Sequence, residues 1–350
     1  MLIEYLARPC MQRPEGLPVP PKNWNSPSNT RPGKSNANPS IPTPFKQICL
    51  QHVIFDIMKR ISVFVVLAAI FLSSCERSID FDLQEVEPKL VIEGTIENNQ
   101  PPLILLTKSQ GYFSTIDPAV LANSFVHDAE VYVSNGTLTH RLKEFAVPAG
   151  PYTFYYYSND PASPATAFVG TTASNYSLRI LSAGKEYTAT TRIPDTTRRI
   201  DSFYWKPAPA GNPPEKVVVM LKAYDPPGFG DYVRYFTKQN IEPFYPGLNS
   251  VYDDQVIDGT GYEVQVERGI PRNGSIPEGY SFFNKGDTVT LKLSNIDKAT
   301  YDFWRTMEFT YASVGNPFSS PTKVISNITG GGLGYFGGYA SQYRTLIIPQ

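Results

Sequence analysis

The sequence predicts a mainly β fold: two antiparallel β-sandwich domains of immunoglobulin-like or transthyretin-like type, with one amphipathic helix in the second. Three observations carry this. Short segments of β-branched and aromatic residues recur every 8–15 residues between turn-forming Asn, Gly and Pro, the rhythm of an antiparallel sandwich. Aromatic residues make up 13% of the chain, and such side chains suit a pleated, half-buried surface. One stretch alone carries a strong helical period.

The elements follow in order. Lys89 to Ile96 and Pro102 to Lys108 are the first two strands, joined at Asn98-Asn99-Gln100-Pro101. Ala129 to Val133 alternates and runs into Asn135-Gly136, a hairpin signal, from which Thr137 to Phe145 returns. Tyr152 to Tyr157, Tyr176 to Leu181 and Glu186 to Ile193 complete a first domain expected over 89–195. Pro194-Asp195-Thr196-Thr197 marks the boundary.

The second domain is expected over 198–350. It opens with a short aromatic strand, Ile200 to Lys206. Lys216 to Tyr224 is almost wholly apolar, as a central strand buried on both faces would be; Asp225-Pro226-Pro227-Gly228 stops it. Asp231 to Gln239, Gly261 to Glu267 and Asp287 to Ser294 are further strands. The helix is expected at about 295–311: Ser294 or Asn295 can cap it, and Ile296, Thr300, Phe303, Trp304, Met307 and Tyr311 recur at 3–4 residue spacing. A Gly-rich loop and a last strand, Tyr343 to Ile348, end the chain.

Upstream of the fold, Met58-Lys59-Arg60 precedes an apolar run from Ile61 to Phe71, followed by Leu72-Ser73-Ser74-Cys75. A basic start, a short apolar core and a small-residue cleavage site make a secretory signal over 58–74. Ile61 to Leu72 is 12 residues, too short for a bilayer core that needs about 20. The closing Leu-Ser-Ser-Cys resembles the bacterial lipobox. That resemblance implies that Cys75 is acylated, becomes the mature N-terminus and anchors the protein to a membrane. Glu76, where an inner-membrane retention signal would have Asp, points to the outer membrane. Residues 1–57 are rich in Pro, Asn and Ser without apolar periodicity; they read as a leader that precedes a true translation start at Met58. Residues 75–88, with Asp80, Asp82, Glu85 and Glu87, read as an acidic tether.

Composition narrows the function classes. Of three cysteines, Cys10 and Cys49 precede the signal, so the mature chain has no internal disulfide and no cysteine metal site. The whole chain has 31 basic and 32 acidic residues; removing eight basic and three acidic residues upstream of Cys75 leaves 23 and 29, a net charge of −6. A mildly acidic body without a basic block does not fit nucleic acid, whose phosphates need clustered Lys and Arg. The acyl chains, not surface charge, would hold it to lipid.

Candidate chemistry is sparse. Gly332-Leu333-Gly334-Tyr335-Phe336-Gly337 matches the dinucleotide fingerprint in spacing, but a helix and a later acid should follow it; no cofactor is expected. Asp253, Asp254 and Asp258 cluster in a loop and make a calcium candidate, since hard cations favour grouped carboxylates. His127 and His140 are too isolated for a zinc site or an evident triad. Tyr155, Tyr156 and Tyr157, in the aromatic strand, are candidate ligand contacts through stacking or a protein interface.

Cys75-Glu76, Leu90-Val91-Ile92-Glu93-Gly94-Thr95-Ile96, Asp128-Ala129-Glu130-Val131, Gly184-Lys185-Glu186-Tyr187 and Ile193-Pro194 occur in that order, followed by Asn316-Pro317-Phe318, Ser326-Asn327-Ile328 and Gly332 to Phe336. The series resembles the Bacteroidota lipoproteins known as domain of unknown function 4249. The resemblance implies a cell-envelope lipoprotein encoded beside TonB-dependent outer-membrane receptors, and it brings no catalytic residues. The expectation is a non-enzymatic binding or accessory module at the outer membrane. A secreted hydrolase acting on glycan or peptide, or a structural or adhesive surface protein, are the alternatives.

Overall fold

The computed structural model describes residues 58, 60, 62, 87–111, 117–272, 276–313, 316, 318–320 and 322–350. The leader, the apolar core of the signal, Leu72, Ser73, Ser74, Cys75 and nearly all of the tether lie outside them. Residues Val86 to Gln350 form one compact unit. It contains β1 (Leu90–Glu97), β2 (Leu103–Lys108), a five-residue helix α1 (Pro118–Ala122), β3 (Glu130–Ser134), β4 (Thr139–Ala149), β5 (Tyr152–Asn159), β6 (Ser174–Ser182) and β7 (Lys185–Ile193). There follow β8 (Arg199–Pro207), β9 (Lys216–Tyr224), β10 (Tyr232–Gln239), β11 (Tyr245–Tyr252), β12 (Gly261–Val266), β13 (Phe283–Asn284), β14 (Thr288–Ile296), α2 (Lys298–Ser313) and β15 (Leu333–Ile347). The fold is mainly β and sandwich-like, as expected.

Two sheets build it, in the orders β11-β10-β14-β15-β1-β2-β5-β4-β3-β6-β7 and β12-β9-β13, with β8 on β9. The long sheet folds over on itself at β4. Thr139 to Arg141 pair with β3, while Leu142 to Ala149 pair with β5. A strand that changes partners in this way turns the corner of a sandwich. The inward faces of β1 and β2 (Ile92, Ile96, Ile104, Leu106) thereby meet those of β3, β6 and β7 (Val131, Val133, Leu178, Ile180, Ile193) in one apolar core. Burial alternates strictly along β1, β3 and most of β6, which is the period-2 pattern that identified them.

A second core lies between the small sheet and β10 and β14: Val217, Val219, Leu221 and Phe283 pack against Val233, Tyr235, Leu291 and Leu293. As the apolar run suggested, β9 is central, paired with β8 on one edge and with β12 and β13 on the other; but only the face of Val217, Val219, Leu221 and Ala223 is buried throughout, and Lys222 and Tyr224 on the opposite face are exposed.

The C-terminal strand departs from expectation in length and direction. It starts at Leu333, ten residues before the expected Tyr343, and takes in the Gly-rich run that read as a loop. It pairs in parallel with β1 from Leu333 to Tyr339, the one parallel pairing among the named strands, and antiparallel with β14 from Tyr339 to Ile347. Its Phe336 and Ala340 enter the first core, so one strand joins the sheet layers of both sandwiches. The glycines permit close contact: a Cβ on Gly334 would lie 1.9 Å from the Ile92 carbonyl oxygen.

The amphipathic helix is confirmed, shifted by about three residues. Asn295 and Ser294 belong to β14, and Asp297 caps α2 instead: its Oδ1 accepts from Thr300 N at 2.9 Å. Its Oδ2 accepts from Arg192 N and Thr191 Oγ1 of β7, at 3.0 and 2.8 Å. Phe303 and Trp304 press on Tyr335 and Tyr339 of β15. Among the described residues no helix is long and apolar enough to cross a membrane.

Candidate functional site

A cavity of about 660 Å³ opens between the two layers of the second sandwich, beside the edge strands β11 and β12. Its apolar floor is Leu221, Val233, Val266, Leu291 and Leu293; Tyr235, Tyr252, Tyr262 and Tyr301 bring aromatic faces and hydroxyls. Asp253, Glu267 and Arg305 supply charge at its wall. A volume of this size with an apolar lining and few polar groups is the usual shape of a small-molecule site.

A bulge makes part of this wall. Along β10 and β11, Arg234 pairs with Val251 while Phe236 pairs with Pro246, so Gly247 to Ser250 bow out opposite Tyr235. A bulge re-aims a side chain and unpairs backbone groups. Gly247 makes the room: a Cβ there would lie 1.9 Å from Tyr235 Oη. The unpaired groups are satisfied by a buried ion pair. Glu308 of α2 accepts from Ser250 N and Oγ at 2.9 and 2.5 Å, and Arg272 donates to the Gly247 carbonyl at 2.9 Å and to Glu308 at 2.7 Å. Neither the bulge nor β11 was anticipated from the sequence, since Pro246 and Gly247 interrupt the apolar alternation that marks a strand.

The tyrosines are held in neutral form. Burial pushes the Tyr252 phenol up to about 12, with Glu267 and Glu308 adding to the effect. Burial likewise raises Tyr235, Tyr262 and Tyr301. Tyr235 and Tyr252 stack with ring centroids 6.2 Å apart. Tyr301 donates to Asp253 Oδ2 at 2.8 Å.

The residues singled out from sequence fare differently. Tyr157 is core: it is buried, and its hydroxyl donates to the Val126 carbonyl at 3.1 Å. Tyr155 and Tyr156 are half-buried on β5, against Phe125 and Phe145, far from the tyrosines of the cavity in the fold. Three consecutive strand residues do not share a face, and here only Tyr155 and Tyr156 keep partial exposure. His140 is buried, with Nδ1 at 2.8 Å from Thr166 Oγ1 and Nε2 accepting from Asp160 N at 2.9 Å. Burial lowers its pKa, opposed by Asp160. His127 pairs with Glu144 at 2.7 Å.

Of the three loop carboxylates, Asp254 and Asp258 come together but Asp253 does not join them. Asp225 does: one oxygen each from Asp225, Asp254 and Asp258 lies within 4.8 Å of the others. Asp253 is turned toward α2 by Tyr301 and Arg305. Asp225 sits at the end of β9 in the turn Asp225-Pro226-Pro227-Gly228, and only the sheet brings it to the β11–β12 loop.

Fold and cavity together define a sandwich-like β protein with a tyrosine-lined chamber between its sheets. The chain belongs to the family described as "Domain of unknown function (DUF4249)", whose model matches residues 76–345. Comparison with curated proteins finds no match.

Proposed function

We propose that the protein is a lipid-anchored cell-envelope lipoprotein of the outer membrane, acting as a non-enzymatic binding or accessory module beside a TonB-dependent transporter. The observation that carries the binding role is the chamber of about 660 Å³ with its four tyrosines. Neutral phenols offer both a stacking face and a hydrogen bond, which suits a ligand with flat or apolar surface and a few polar groups. The anchor rests on the lipobox at Leu72-Ser73-Ser74-Cys75. Holding two proteins in one membrane raises their effective concentration, so a weak interface suffices for partnership.

Crosslinking in native membranes, followed by affinity purification and mass spectrometry, tests the partnership. Recovery of a β-barrel receptor supports it, and repeated absence of one overturns it. For the anchor, cells fed a labelled fatty acid should label the wild type and not Cys75→Ala. Equal membrane partitioning of the two would sink the lipid-anchored reading. For the chamber, narrowing it with Leu221→Trp should abolish retention of any small molecule that native mass spectrometry finds on the protein from its own envelope. Retention unchanged in that variant would place the ligand elsewhere.

A further inference from the structure

We infer that Asp225, Asp254 and Asp258 form a binding site for a divalent cation of the calcium class, bridging the β9–β10 and β11–β12 loops. The inference depends neither on a ligand in the chamber nor on the anchor, although Arg198, which holds Asp225, also lines the chamber.

Two independent features support it. The first is convergence: three carboxylates from two loops bring an oxygen each within 4.8 Å of one another. Three oxygens this close can share one cation at calcium–oxygen distances of about 2.4 Å, and a set of protein carboxylates without an octahedral cage suits the flexible coordination of calcium better than that of magnesium. The second is an orphan acceptor. The Asp225 side chain is fully buried; Oδ1 accepts from Arg198 Nε, while Oδ2 is buried with no hydrogen-bond partner. A buried charged oxygen left unpaired is costly, and a cation among the neighbouring carboxylates satisfies it.

The surroundings are organised for this. Asp254 is buried and Asp258 half-buried, so this is not a solvated acidic surface. Gly230 N and Asp231 N donate to Asp254 Oδ2 at 2.7 and 2.8 Å, and Gly228 N donates to Asp258 Oδ1 at 2.6 Å. These bonds fix the carboxylates while leaving one oxygen of each uncommitted to them. Charge is unbalanced: three carboxylates and the guanidinium of Arg198 sum to −2, and Asp231 stands beside them, its own carboxylate accepting from Thr197 Oγ1 at 3.0 Å. A divalent cation would neutralise the excess.

The test is calorimetric titration of the full chain, stripped with chelator, with calcium chloride and separately with magnesium chloride. One calcium per chain is expected, with a higher Tm in calcium than in chelator. Asp258→Asn should weaken binding at least tenfold with its Tm in chelator unchanged or raised, because it removes one repelling charge. Asp253→Asn should bind as the wild type does. Terbium luminescence sensitised by tyrosine and displaced by calcium gives a second reading on Asp258→Asn. Absence of calcium uptake at millimolar concentration, undiminished binding by Asp258→Asn, loss of binding in Asp253→Asn, or equal affinity for magnesium would each overturn the assignment.

Discussion

The side chain of Asn327 pairs with the backbone of Phe336 as a neighbouring strand would. Phe336 N donates to Asn327 Oδ1 at 3.0 Å, and Asn327 Nδ2 donates to the Phe336 carbonyl at 2.7 Å. Nδ2 also donates to the Thr190 carbonyl of β7 at 3.0 Å. At this point β15 has β1 on one edge and has not yet met β14, so one amide side chain completes the ladder and ties it to β7. Asn327→Asp, which turns a donor facing two carbonyls into an acceptor, should cost about 2 kcal/mol. Denaturant unfolding measures this; an unchanged midpoint would show the pairing to be incidental.

The two glycines that flank the start of β15 should respond very differently to a methyl group. Gly334 has φ +99° and a Cβ there would meet the Ile92 carbonyl oxygen at 1.9 Å. Gly331 has φ +83° with nothing within 4 Å. Gly331→Ala should cost only the left-handed backbone term, about 1–2 kcal/mol. Gly334→Ala should cost more than about 4 kcal/mol or fail to fold, because backbone must move apart. Equal losses would show that β15 does not lie this close to β1.

Asp297 performs two tasks, capping α2 and receiving the Arg192 N–H and Thr191 hydroxyl of β7. Asp297→Ala should therefore exceed an ordinary cap loss and cost about 2–3 kcal/mol. Asp297→Asn, which keeps one acceptor, should fall between that and the wild type. Thermal unfolding of the pair decides; an intermediate no better than Ala would show that charge rather than geometry is what counts.

Stability should fall in alkali. Burial pushes Tyr157, a core residue, up to about 12 from an ordinary 10.0. A group whose pKa is raised on folding lends stability that is full below its unfolded value and lost as pH rises through the folded one. Urea midpoints should thus hold below pH 10 and decline toward pH 12, in step with delayed tyrosinate absorbance. Tyr157→Phe should decline less steeply. A flat profile across that window would contradict the burial of Tyr157.

Much of the architecture was legible because strand alternation is a local property. β1, β6, β7, β9 and β10 fall within a residue or two of where β-branched runs and turn residues put them, and the apolar run of β9 correctly marked a central strand. The helix was legible from its stripe, but its cap was not. Ser294, Asn295 and Asp297 are all good cap residues, and the choice fell to the one that β7 could also use. The site was less legible. Asp254 and Asp258 were visible as a local cluster, while Asp225 lies about thirty residues away in sequence and joins them only across the sheet.

Residue types and their periods thus determined that this chain makes β-strands, where most of them lie, which helix covers them and that its N-terminal segment carries a lipobox-like motif. Tertiary structure alone decided that the Gly-rich run is a strand, that it pairs in parallel with β1, that β4 turns the sheet's corner, and which tyrosines and carboxylates converge. The division has one physical cause. Strand and helix signals come from neighbours a few residues apart, whereas close approach, burial and charge convergence depend on distances that open and close only when the layers pack.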